Sequence, residues 1–166
     1  MKHLLYWLSS FLPCRIISDD GTPYLERYYI GTWFGVRFYL HRFVGSDPAR
    51  GLHDHPWAWA RSFILSGWYY EERLDGLREV RWQNSLKGST FHRVILPASL
   101  DRKDDKPQPC WTLFWHDAAY TKPWGFIKRG RWWPHDHAKG GNGNGTPEAW
   151  WKHVPKGKFE VRRAKP

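Results

Sequence analysis

The chain has 166 residues, 41% hydrophobic and 25% charged, with a formal charge of +10 and 13 Trp. That length and balance suit one globular domain with a real core, and they exclude a membrane-embedded chain, since no stretch approaches the ~20 apolar residues of a span. Two cysteines, Cys14 and Cys110, exclude a disulfide framework and lack paired metal spacing, so a reducing cytoplasm is the expected setting.

The first fourteen residues open on a basic residue and a short apolar run, but Trp7, Pro13 and the absence of a small-residue cleavage site argue against a signal peptide. Leu4, Leu5, Leu8, Phe11 and Leu12 fall at helical spacing. They predict a short amphipathic helix packed on the body of the protein, with no membrane partner.

From Tyr24 onward, short alternating or apolar runs are divided by turn residues at close intervals, the pattern of an antiparallel all-β sandwich or barrel. Strands are predicted at 24–30, 33–43, 52–57, 60–65, 68–74, 77–82, 90–95, 110–116 and 124–127, with a hairpin at Asp75-Gly76. Residues 97–109, rich in Asp, Lys and Pro, read as an exposed loop. The Gly/Asn-rich run 139–147 predicts a joint, so the ordered unit is expected to span residues 1–138 and a flexible basic tail residues 139–166. Residues 122–166 hold 11 of the 26 basic and 3 of the 16 acidic side chains. This segment suits nucleic acid or nucleotide phosphate as a partner, while a solvated solubilising tail is the simpler and favoured reading. The Trp150-Trp151 pair within it could dock back on the barrel.

His53-Asp54-His55 carries the chemistry. Residues i and i+2 of a strand project to one face, so two imidazoles can grip one divalent transition metal from the same side, unless they are merely turn histidines ahead of Pro56. A third ligand must come from another strand, and His92, after a turn and at the start of an apolar run, is placed to be that ligand. In the run 33–41, Arg37, Tyr39 and His41 share one face. If that face is the lumen, it binds an anionic small-molecule substrate, Arg37 by a paired contact; the alternative is a solvated outer face. Asp54 is expected to orient a ligand histidine. Of Glu71 and Glu72, on opposite strand faces, at most one reaches the lumen. His135-Asp136-His137 repeats the spacing but reads as a loop pair.

Gly51-Leu52-His53-Asp54-His55 followed by Gly67 resembles the first cupin motif, and Lys87-Gly88 with His92 resembles the second. The resemblance covers 52–94 and extends from 33 to 127. It implies a double-stranded β-helix, or jelly-roll barrel, holding a metal in its lumen, in a superfamily of dioxygenases, isomerases, epimerases, decarboxylases and non-catalytic binders. Two departures stand out. The usual glutamate falls near Trp59 or Ala60, which cannot ligate, and Gly88 lies four residues before His92 without the usual Pro. A site of three histidines resembles the iron-binding thiol dioxygenases of the superfamily, while zinc or nickel suits three imidazoles as well. The chain also resembles small uncharacterised cupins of phage and bacterial genomes. These features lead to a metal-dependent, dioxygenase-like enzyme first, a metal-independent sugar epimerase or isomerase second, and a non-catalytic nucleotide or nucleic-acid binder third. A homodimer through an edge strand is a further expectation from the family.

Overall fold

A computed structural model of the chain describes residues 1–98, 107–135 and 149–165. After the helix α1 (Lys2–Ser9), twelve strands run in order: β1 (Cys14–Asp19), β2 (Thr22–Trp33), β3 (Val36–Phe43), β4 (Leu52–His53), β5 (Trp59–Ser66), β6 (Tyr69–Arg73), β7 (Gly76–Val80), β8 (Gln83–Lys87), β9 (His92–Ile95), β10 (Cys110–Asp117), β11 (Gly125–Lys128) and β12 (Arg131–Pro134). They form two six-stranded sheets, ordered β1-β2-β3-β10-β5-β8 and β12-β11-β4-β9-β6-β7, with every strand pair antiparallel.

The predicted jelly roll is therefore present, with three strands that composition hides. β1, β8 and β12 are short, and β8 and β12 carry polar or exposed side chains, so neither gives a clean alternation to read. The predicted hairpin is shifted by one residue: Arg73 pairs with Gly76, so Leu74 and Asp75 make the turn, and Gly76 follows it at φ 130°.

Buried clusters lie on both faces of the first sheet. Between the sheets, Leu25, Phe43, Ile64 and Cys110 meet Tyr69, Val80, Val94 and Leu96. Outside the first sheet, Tyr28, Leu40 and Trp111 pack with Cys14 and Ile16 against Leu5 of α1. The helix buries less than its sequence pattern suggests: Leu5 and Ser9 face inward, whereas Leu4, Leu8 and Phe11 are exposed. Among the described residues, no helix is long and apolar enough to cross a membrane. Cys14 and Cys110 are free and buried, and burial pushes both thiols up to about 12, so they act as small apolar core residues.

The expected boundary at 138/139 and the Gly/Asn-rich joint lie outside the described residues. The segment 149–165 is anchored, where a free tail was expected. Trp151 stacks on Tyr29 with centroids 4.1 Å apart, and Trp150 stacks on Tyr39 at 6.1 Å. The Cys14 amide then donates to Pro155 O at 2.8 Å. Gly157 passes so close to α1 that a Cβ there would meet Ser9 O at 2.6 Å. Arg163 donates to Tyr28 Oη at 2.7 Å, the Ala164 amide to Glu26 Oε1 at 2.7 Å, and Arg42 to the carbonyls of Ala164 and Lys165 at 2.6 and 2.8 Å. Glu26 and Arg42 are buried, so their polar atoms need these partners. The positive charge of this segment is therefore partly spent on structure: Arg162 pairs with Glu160 as well.

Candidate metal centre

His53 lies on the two-residue strand β4, paired to His92 of β9 on one side and to Phe126 of β11 on the other. The chain leaves the sheet directly after His53 and is pinned at Asp54. The Asp54 amide donates to Gly125 O at 3.0 Å, while its carboxylate accepts from the Gly125 amide at 2.7 Å and from the Lys122 ammonium. The His55 amide then donates to Gly88 O at 3.1 Å, and the Gly88 amide to Ala58 O at 2.8 Å. Only glycine fits at 88, because a Cβ would sit 2.0 Å from Trp57 O. Gly88 thus serves the site by clamping the His55 loop.

This arrangement brings the three predicted ligands together. His53, His55 and His92 each present a nitrogen within 4.8 Å of the others, with ring centroids 5.0 to 5.1 Å apart. His55 Nε2 lies 2.8 Å from His92 Nε2. Three imidazole nitrogens bound to one ion at about 2.0–2.1 Å lie about 3.3 Å apart in tetrahedral geometry, so the cluster fits a divalent ion after small side-chain adjustments. Among the described residues no carboxylate belongs to it.

The orienting carboxylate is Glu71, not Asp54. Glu71 on β6 is fully buried, and its Oε1 lies 2.8 Å from His92 Nδ1. Burial alone would raise its pKa, but hydrogen bonds from His92 and Asn84 and the charge of Arg73 overcome that and hold the carboxyl down at about 2. An ionised Glu71 accepts the His92 Nδ1 proton and leaves the Nε2 lone pair facing the cluster. Arg73 at 2.7 Å, Arg78 and Asn84 at 2.7 Å fix the carboxylate in turn. Asp54 was expected to take this part because it sits between two ligands. Its carboxylate is instead taken up by the Gly125 amide and Lys122, and it secures the chain to β11.

Arg37, Tyr39 and His41 do face the space between the sheets, on the side of β3 that carries the core residue Phe43, and all three are buried. Trp57 stacks on His55 at 4.1 Å and on His116 at 5.3 Å, and His116 stacks on Tyr39 at 5.6 Å, so a continuous aromatic wall joins the triad to this face. Parts of the His53 and His55 rings reach the surface of the lumen, yet both lie deep in the protein volume. Desolvation, reinforced by neighbouring cations, holds His41, His53 and His55 well below 6.5, and desolvation lowers His116 to about 3. Neutral imidazole is the form that binds a metal.

Sequence reasoning did not single out Arg27, His116 or Trp124. Arg27 Nε donates to His41 Nε2 at 3.1 Å, and His116 pairs with Arg37 across β3 and β10. Trp124 faces His53 and His55 and carries His135 stacked on it at 3.9 Å, which places His135 at the rim of the site; Asp136 and His137 lie outside the described residues. The alternation on β2 and β10 holds the signal for Arg27 and His116. Assigning those faces, however, requires knowing which strands neighbour β3.

No protein-family model matches the chain, and no curated protein matches it. Solved structures do. The cupin-2 domain protein Rru_A2000 of Rhodospirillum rubrum superposes with a TM-score of 0.54 at 13% identity, covering 71% of this chain and 76% of that one. A cupin 2 conserved barrel domain protein of Rhodopseudomonas palustris superposes with a TM-score of 0.51 at 10% identity, covering 70% and 79%. The chain has the cupin fold, and its three-histidine cluster is compatible with a metal site.

Proposed function

We propose that this barrel is a metal-dependent enzyme of small-molecule chemistry, dioxygenase-like, with His53, His55 and His92 as the ligands of one divalent ion and an anionic substrate beside it. The observation that carries this reading is the convergence of three imidazoles from β4, the following loop and β9, one of them oriented by a buried carboxylate. Iron, zinc or nickel suits an all-imidazole set. A ferrous ion, when bound, would supply open coordination positions for dioxygen and substrate.

The chain's own residues supply the rest. Glu71 holds the His92 tautomer, and Trp57 fixes the His55 ring by stacking. Tyr39 and His41 offer a hydroxyl and a neutral imidazole toward the substrate, and Arg37 adds positive charge to the same wall. The competing reading, metal-independent epimerisation with histidine as general base, is weaker, because an effective base has a pKa near the working pH and His116 at about 3 is a poor one. The test is elemental analysis of protein purified without added metal, followed by dioxygen uptake after anaerobic ferrous loading with a panel of carboxylic acids. About one transition metal per chain and substrate-dependent uptake support the proposal. Metal-free wild type that cannot be loaded refutes it.

A further inference from the structure

Arg27 on β2 projects into the lumen from the same cross-strand row as His41 on β3 and Thr112 on β10, since Arg27 pairs with His41 and His41 with Thr112. Its Nε is spent on His41, and its guanidinium lies over the Tyr39 ring, 5.4 Å from the centroid. Among the described residues, no Asp or Glu forms an ion pair with Arg27 or with Arg37. The buried acids beside the triad are already taken: Glu71 is shared by His92, Arg73 and Arg78, and Asp54 by Lys122 and the Gly125 amide. Two further polar atoms on this wall are buried without a partner: Thr112 Oγ1 and Arg37 Nε. Cations and donors held in a desolvated wall without acceptors are costly, and an anionic ligand removes that cost.

The row lies next to the histidine cluster. His41 stacks on Phe114 at 4.6 Å, Phe114 packs on Trp57 at 5.9 Å, and Trp57 stacks on His55 at 4.1 Å. From this geometry we infer that Arg27 binds the oxyanion group, carboxylate or phosphate, of an organic ligand whose body packs against Phe114, Trp57 and Tyr39 and whose other end faces His53, His55 and His92. Arg37, which the sequence offers for that role, is a positioning residue: its guanidinium sits over the Trp151 ring at 4.9 Å and backs His116. Only the placement of the ligand's far end rests on the metal reading above.

The experiment is calorimetric titration of acetate and of inorganic phosphate into the full chain, with and without loaded metal, for wild type, Arg27→Gln, Arg27→Lys and Arg37→Gln, with metal content assayed on each sample. Arg27→Gln should weaken binding about tenfold or more, as expected for one charge-assisted hydrogen bond, at unchanged metal content. Arg27→Lys should retain binding within a few-fold, and Arg37→Gln should lose less than Arg27→Gln. Preference for phosphate or for acetate identifies the head group. Wild type that binds neither anion, or Arg27→Gln that binds as wild type does, overturns the inference. If Arg27→Gln does not fold, phosphate protection of wild-type Arg27 from phenylglyoxal, located by mass spectrometry, decides in its place, and absence of protection is the refuting result. Anion binding by protein that takes no metal would leave this site standing while the metal reading fails.

Discussion

Glu71 Oε1 lies 2.8 Å from His92 Nδ1 while His92 Nε2 lies 2.8 Å from His55 Nε2, so one imidazole couples a buried carboxylate directly to the histidine cluster. Replacement of His53, His55 or His92 by Ala should each deplete bound transition metal. Glu71→Gln should keep the metal but weaken its affinity about 10–100-fold, the usual cost of removing a carboxylate behind a ligand histidine. Chelator competition on the purified variants measures both effects, and unchanged affinity in Glu71→Gln would remove the orienting role.

Acid should destabilise the metal-free protein through its buried histidines. A histidine whose folded pKa is depressed binds protons more readily when unfolded, so its stability contribution is complete above the unfolded value near 6.5 and declines as pH falls below it. For His116 the decline continues to about pH 3, at about 1.4 kcal/mol per pH unit. His41, His53 and His55 add to it in the same direction. Denaturant melts between pH 7 and 4 should show a steep fall in stability, and His116→Phe should flatten it by one histidine's share. An identical slope in the variant would contradict the assignment.

Deleting residues 149–166 should destabilise the barrel. The deletion strips Glu26 and Arg42 of the Ala164 and Lys165 partners that hold them, and each lost hydrogen bond to a charged group is worth about 1.5–3 kcal/mol. With about 2–4 °C per kcal/mol for a chain of this size, the melting temperature should drop by about 10 °C or more. A melt that matches the full chain would show the anchoring to be energetically idle. Glu26→Gln in the full chain separates the buried ionic contact from loss of the segment as a whole.

Trp150 and Trp151 should report separately from the charged end of that segment. Trp151→Ala removes the stack on Tyr29 and the ring beneath Arg37, so it should loosen the lumen wall more than Arg162→Ala, whose partner Glu160 is on the same segment. Thermal melts should show a loss of about 1–3 kcal/mol for the half-buried Trp151, below the range for a fully buried aromatic, against less than about 1 kcal/mol for Arg162, whose side chain is exposed.

How much of this was legible in the sequence depends on the range of the interaction. The His53/His55 pair and the inward face of Arg37, Tyr39 and His41 follow from period-two alternation, a local property of each strand. His92 was reachable because a turn and an apolar run surround it. Glu71 was narrowed to one of two residues, and only the register of β6 against β9 settles which one meets His92; that register pairs Glu71 with Val94 and Arg73 with His92. Arg27 and the docked C-terminal segment escaped for a different reason. Their partners lie 14 and up to 138 residues away, on other strands or segments, so the alternation within any one strand does not reveal the pairing.

The same separation constrains how the chain can be made. Glu26 of β2 and Arg42 of β3 face each other across one hairpin, yet the groups that satisfy them, at residues 164 and 165, are synthesised 122 to 138 residues later. Until then the outer face of the first sheet carries a buried-type carboxylate and guanidinium open to water, and α1 lacks the Arg163 contact to Ser9. Nascent chains stalled before residue 164 should therefore be held by chaperones or cut by proteases, and become resistant only once residues 164 and 165 can dock.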